Sequence, residues 1–123
     1  MDVSNYRRLR SQDILALIAN GERDFTRCDI EDGASFDSLD LSGATFEESF
    51  VFDATFRSAK LRGACFRNAN VKCGDFTDAD LRDADFTGAA IDGAIFAGAD
   101  LQGARFEGAG AYGHAFCAGE QPI

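Results

Sequence analysis

The chain offers few groups that could do chemistry. It has one histidine, His114, four cysteines, Cys28, Cys65, Cys73 and Cys117, and 21 acidic against 12 basic residues. His114 has no serine or cysteine beside it in a triad pattern, so covalent catalysis has no visible constellation. The cysteines show no C-x-x-C spacing, which favours reduced thiols over a disulfide or metal framework. Asp75, Asp80 and Asp85 recur at five-residue steps. Acid–base work needs two carboxyls converging on one substrate atom, which such a step does not arrange. Gly63, Gly88, Gly93, Gly98, Gly103 and Gly108 are scattered singly and form no phosphate loop. Arg57, Arg62, Arg67 and Lys72, again five apart, make the one basic cluster; it could grip a nucleotide or an acidic partner. No catalytic, cofactor-binding or metal residue is assigned, no cofactor is expected, and the protein is read as a non-enzyme.

The spacings of those aspartates, glycines and basic residues are all multiples of five, and the apolar residues explain why. From Phe36 to Phe106 each fifth residue is Phe, Leu, Val or Ile, with a small residue, usually Ala, two places before it. Five is neither the helical period of 3.6 nor the strand period of 2. The identities carry a longer period of twenty: Phe36, Phe56, Phe76 and Phe96; Leu41, Leu61, Leu81 and Leu101; Phe46, Phe66, Phe86 and Phe106; Val51, Val71 and Ile91. A solenoid stacks like on like, so twenty residues make one coil of four sides. Three sides would mix Phe with Leu in every column. Upstream, Phe25 and Ile30 are five apart but one residue out of phase. They join the Phe46 and Val51 columns if one residue is inserted within Glu31-Asp32-Gly33, where a loosened corner is expected.

The units Ala79-Asp80-Leu81-Arg82-Asp83, Ala84-Asp85-Phe86-Thr87-Gly88 and Ala99-Asp100-Leu101-Gln102-Gly103 resemble the pentapeptide-repeat motif, Ala-(Asp/Asn)-Leu-X-X with Leu or Phe at the centre. The resemblance covers roughly residues 23–118. It implies a right-handed quadrilateral β-helix with the central residue and the preceding Ala pointing inward. The expected fold is thus an all-β solenoid, a right-handed four-sided parallel β-helix of nearly five coils with a short N-terminal capping α-helix. Its shaft is roughly 20–25 Å long at ~4.8 Å per coil. Each buried central side chain is worth about 1.5–3 kcal/mol before entropy is subtracted. Leu39, Ser49 and Gly74 replace the inward Ala, as does His114, and Ala111 underfills a central site near the end.

The organisation read from this frame is one domain: residues 1–22 a helical cap, 23–118 the β-helix, 119–123 a tail. Ser11 to Gly21 reads as a short helix with Ser11 as N-cap, Asn20-Gly21 as its stop, and Ile14, Leu15, Leu17 and Ile18 as its apolar side. A secretory signal is disfavoured because the apolar run is short and contains Asp13. No stretch of 18 apolar residues is present, so nothing is expected to span a membrane. A cytoplasmic location is expected. The C-terminal end, with Tyr112 and Phe116 as its bulk, has no equivalent cap. Some members of the family are similar in pairing through such ends, which implies a possible homodimer there; the other reading is a monomer whose last residues fold over the end.

Net charge is −9, which argues against direct nucleic-acid binding. On the four sides of one coil, Arg57, Arg62, Arg67 and Lys72 would form a basic girdle, with Asp37 beneath Arg57, Glu47 beneath Arg67 and Asp92 above Lys72 as stacked partners. Phe50 and Phe52 flank inward Val51, so strand alternation turns both outward and makes a candidate contact patch. The alternative is that Tyr6 and Leu9 fold back and cover them. The leading functional reading is a rigid protein-interaction or scaffold module with an unknown protein partner. The other is an acidic mimic of DNA, since family members similar in fold and acidity protect DNA gyrase from quinolones.

Overall fold

A computed structural model describes residues 4–123; the first three residues of the proposed 1–22 cap lie outside the described residues. The five-residue step is produced by a corner after each central residue. The N–H of the following small residue donates back to the central carbonyl, as Ala64 does to Leu61 (3.0 Å) and Ala84 to Leu81 (3.1 Å). The second corner residue has left-handed backbone, φ 60° at Ser38, 56° at Asn68 and 70° at Gly98. Asn, Asp and Gly tolerate that region best. At Gly98 space matters too: a Cβ would lie 2.1 Å from Oδ1 of Asp78.

Between corners the chain is too short for long strands, and the coils are joined by single parallel bridges. The residue before each centre bridges to its counterpart twenty on, from Ser35 with Thr55 and Asp40 with Lys60 up to Ala90 with Gly110. Below Ser35 the offset is twenty-one: Asp24 pairs with Thr45 and Asp29 with Phe50. Strand β1 (Arg7–Leu9) likewise runs parallel to β2 (Cys28–Ile30), with Leu9 beside Ile30. The extra residue therefore sits at the Glu31–Gly33 corner, where Gly33 has φ 78° and its N–H donates to the Phe52 carbonyl (3.2 Å).

The core follows the columns. Phe36, Phe56, Phe76 and Phe96 stack nearly parallel, with ring centroids 4.6, 4.9 and 5.2 Å apart. Phe25, Phe46, Phe66, Phe86 and Phe106 do the same at 5.2, 5.0, 4.8 and 4.8 Å. The two stacks meet edge to face at 5.5–5.9 Å and 85–90°, so each ring offers its positive edge to a neighbour's negative face. Leu41, Leu61, Leu81 and Leu101 fill the third column, and Ile30, Val51, Val71 and Ile91 the fourth. Leu9 is a buried first member of that fourth column, outside the periodic run. Cys28 occupies a small inward site and is buried. Ser49 does so as well: its hydroxyl is hydrogen-bonded to the Phe25 carbonyl and accepts from the Cys28 N–H (2.9 Å). At Gly74 an added Cβ would come within 3.0 Å of both the Phe76 ring and the Val71 carbonyl.

Helix α1 (Ser11–Ala19) starts one residue earlier than Ser11 as N-cap implies. Arg10 is the N-cap, its N–H held by Asp13 (3.2 Å), while the Ser11 N–H donates to the Glu31 carboxylate (2.7 Å). Its C-terminus ends in a Schellman arrangement, with Gly21 N–H to Ile18 carbonyl and Glu22 N–H to Leu17 carbonyl, both 2.9 Å. Ile14 and Ile18 are buried with the core, Leu17 is partly buried, and Leu15 is exposed.

At the other end the parallel ladder stops at Gly110, short of residue 118. Strands β3 (Gly110–Ala111) and β4 (His114–Ala115) form an antiparallel hairpin instead. Tyr112 and Gly113 both take left-handed φ, 50° and 83°, the requirement of a two-residue hairpin turn. The reversal swings Phe116 out of the Phe36–Phe96 column and onto Phe106 (6.2 Å, tilted). It also turns His114 outward, so His114 does not replace an inward Ala.

Candidate interaction surfaces

The outward positions carry an ordered set of charges. The Arg57 side chain reaches Asp75 (2.9 Å), Arg67 reaches Asp85 (2.9 Å) and Arg62 reaches Asp83 (3.8 Å). These are diagonal partners in the coil above, not the stacked Asp37 and Glu47. Asp37 is occupied otherwise: its Oδ1 accepts from the Arg57 N–H (2.8 Å) and the Thr55 hydroxyl (2.6 Å). The expected Lys72–Asp92 pair is also absent among the described residues; Asp92 accepts from the Tyr112 N–H (3.2 Å) instead. Three of the four members of the girdle are thus neutralised on the shaft itself. Exposed pairs of this kind are screened by solvent and contribute little to stability.

Asp75 is held below the usual carboxylate range first by the Thr77 hydroxyl, with the Thr77 N–H and Arg57 adding to it against the effect of burial. Asp80 is held low first by Arg82. Burial pushes the Asp85 carboxyl up, but hydrogen bonds from Thr87 and Arg67 together bring it below its ordinary value. A carboxylate lowered on folding adds stability that is complete above its unfolded value and lost as pH falls through the folded one. Stability from urea unfolding is therefore expected to hold from pH 7 to about 5 and to decline below about pH 4. An Asp85→Asn variant should show a shallower decline; an unchanged acid slope would show that Asp85 contributes nothing to it.

The aromatic pair divides. Phe50 is half-buried beneath Tyr6 (ring centroids 5.5 Å), and the Tyr6 hydroxyl donates to the Glu48 carbonyl (2.7 Å). Burial, and then the Glu48 carboxylate, raise the Tyr6 hydroxyl above its ordinary value. Phe52 stays uncovered at 39% exposure. Tyr6 thus covers one ring of the two, and Leu9 is in the core.

The C-terminal end is partly closed by its own tail. The Gln121 side-chain amide donates to the carbonyls of Leu101 (2.8 Å) and Ala104 (3.1 Å), and the Gly108 N–H donates to the Phe116 carbonyl (2.8 Å). His114 Nε2 lies 2.7 Å from Glu120 Oε2. Yet the N–H groups of Phe96, Gly98, Leu101 and Gly103 have no partner among the described residues. One coil earlier, those of Phe76, Asp78, Leu81 and Asp83 donate to Ile95, Ala97, Asp100 and Gln102. Tyr112 is 80% exposed on the hairpin, and Ile95 47% exposed beside this edge. An open depression of about 410 Å3 lies between the hairpin and the shaft, lined by Lys72, Ala90, Asp92, Gly110 and His114 among others. Among the described residues there is no cluster of His, Cys, Asp and Glu that could hold a metal ion, and no helix long and apolar enough to cross a membrane.

The family model for pentapeptide repeats (8 copies) matches residues 34–72 and 75–109. Among solved structures, a pentapeptide repeat protein from Nostoc is 29% identical, with 94% of this chain and 90% of that one covered and a TM-score of 0.47. One from the thylakoid lumen of Arabidopsis thaliana is 32% identical over 63% of this chain and 61% of that one, with a TM-score of 0.44. QnrB1, a plasmid-mediated fluoroquinolone resistance protein, is 22% identical over 87% of this chain, with a TM-score of 0.54, and shares the fold. The chain spans less than two thirds of the Arabidopsis protein and 51% of the resistance protein. Curated proteins gave no match.

Proposed function

The chain belongs to the pentapeptide-repeat family, and from that premise we propose that it is a rigid, non-enzymatic protein-interaction module. In this reading it is a right-handed four-sided shaft of nearly five coils, capped by α1 and working in the cytoplasm with reduced thiols. The observation that carries it is Phe52, a large apolar side chain left uncovered at 39% exposure on a fold whose inward columns from Phe25 to Phe106 are filled. A preformed surface loses little conformational freedom on binding, which is the advantage such a shaft brings to a partner.

Phe52→Ser is expected to abolish recovery of the partner in a pull-down while moving the melting temperature by less than about 2–4 °C, as a surface change should. Phe50→Ser, which removes the ring beneath Tyr6, should lower the melting temperature more. Unchanged partner recovery with Phe52→Ser would exclude this face.

The open edge at Phe96–Gly103, with Ile95 beside it, supports a second proposal, a homodimer joined end to end through the C-terminal coil. Phe116 packs on Phe106, so the tail would have to share that end with the second copy. A monomeric mass by light scattering at micromolar concentration excludes it. Mimicry of DNA at gyrase is favoured by the net charge of −9 and by the fold shared with QnrB1, a fluoroquinolone resistance protein, while the arginine ring breaks the acidic surface. No effect on gyrase supercoiling at tens of micromolar removes it.

A further inference from the structure

The side whose inward column is Ile30, Val51, Val71 and Ile91 differs from the other three, and the inference drawn from it rests on the interaction-module reading. Phe52 stands there one coil below Lys72, in the same register that bridges Phe50 to Asn70. Lys72 is half-buried and has no ion pair among the described residues, while Arg57, Arg62 and Arg67 each have one and Arg82 has two. Above it the depression of about 410 Å3 opens, with Ala90 and Gly110 among its lining residues and Lys72 on its wall. An uncovered aromatic ring, an unpaired ammonium and a concave surface therefore follow one another up a single face.

A cation that has no ionic partner, carried on a half-buried side chain, favours an anionic visitor. The net charge of −9 and Asp92 at the rim of the depression disfavour a polyanion such as nucleic acid. A single carboxylate attached to something apolar satisfies both constraints. The geometry points to a groove for an extended peptide segment of a partner protein that carries an aromatic or aliphatic residue and an acidic residue two positions apart. The apolar residue lies on Phe52, the carboxylate pairs with Lys72, and the main chain continues across Ala90 and Gly110. In an extended peptide alternate side chains share one face about 6.8 Å apart, and coils stack at about 4.8 Å, a difference the flexible lysine stem bridges.

The test uses purified full-length chain to select from a phage-displayed library of random twelve-residue peptides. A selected peptide, labelled with fluorescein, is then titrated by anisotropy against the wild type, Lys72→Glu, Phe52→Ser and, elsewhere on the shaft, Arg62→Glu and Ile95→Asp. Thermal melts check that each variant is folded. The proposal expects an apolar-x-acidic pattern among selected peptides. It expects roughly tenfold weaker binding to Lys72→Glu, the scale of one lost charge-assisted contact, and a clear loss with Phe52→Ser. Arg62→Glu should be unaffected, and a peptide with Lys in place of its acid should regain affinity for Lys72→Glu. Selection without acidic enrichment, affinity indifferent to Lys72 and Phe52, tight binding of a labelled oligonucleotide at this face, or no selected peptide at all overturns it. If peptides bind but lose affinity with Arg62→Glu or with Ile95→Asp at the C-terminal edge, this groove is wrong while the interaction reading stands. Both fall if no peptide is selected and no partner is recovered in the pull-down.

Discussion

Replacing Phe66 by alanine is expected to destabilise the protein by about 3–5 kcal/mol, read as a lowered midpoint in urea unfolding. The ring is fully buried and touches four others. It is stacked on Phe46 and Phe86 at 5.0 and 4.8 Å, and edge to face with Phe56 and Phe76 at 5.7 Å each. Cavity cost depends on how far the surroundings can collapse, and here the hydrogen-bonded coils above and below hold the walls apart. Phe96→Ala is the control. Phe96 stacks on Phe76 only, because the reversal at Tyr112–Gly113 removes the next ring of its column. Its replacement should cost clearly less. A domain of this size is stable by about 5–15 kcal/mol, so the Phe66 variant should remain folded but close to its limit at 37 °C. Equal losses at the two positions would show that ring stacking along the column adds nothing beyond burial.

The columns were legible because a repeating fold writes its contacts into its period. Once Phe66 is known to sit twenty residues from Phe46 and Phe86, its neighbours follow. The same arithmetic exposed the extra residue near Gly33, since Phe25 and Ile30 were out of step by one and the bridges there are twenty-one apart. It could not reveal Leu9. A helix separates that residue from Ile30, and Arg7 stands where the small inward residue should be, so no local unit announces the strand. Nor could it foresee the end of the ladder. Phe116 is in phase, but φ is set locally, and the pair Tyr112–Gly113 turns the chain before the phase can be used.

Charge placement was legible in outline and wrong in detail for a different reason. Period assigns each residue a side and a height, which is a position for Cα and little more. Arg57 has a long side chain and can choose among several carboxylates within reach. Asp37 is short, lies beside the Arg57 N–H and the Thr55 hydroxyl, and is taken by them, leaving the guanidinium to Asp75. The Phe52 surface was visible because alternation around Val51 needs only the backbone. That Phe50 would be covered required knowing where Tyr6 goes, and Tyr6 is placed by β1.

Deleting residues 57–76 is expected to leave a protein that still folds cooperatively, whereas deleting only residues 57–61 is expected to be the more damaging change. The long deletion removes one whole coil. Phe56 is then followed by Thr77, Leu81 lands above Leu41, Phe86 above Phe46 and Ile91 above Val51, so every column keeps its residue type. The short deletion removes one side and rotates everything above it by a quarter turn. Phe66 then meets Leu41, Val71 meets Phe46, Phe76 meets Val51 and Leu81 meets Phe56. Each mismatch is an overfilled or underfilled site costing about 1–3 kcal/mol, and four of them at one seam approach the whole stability of the domain. A nearest-neighbour stack tolerates the loss of a unit better than a bad interface between units. Thermal melts of the two variants settle the matter. If the five-residue deletion melts as high as the twenty-residue one, the four columns do not need like residues stacked on like, and the period of twenty would be a record of duplication with little energetic content.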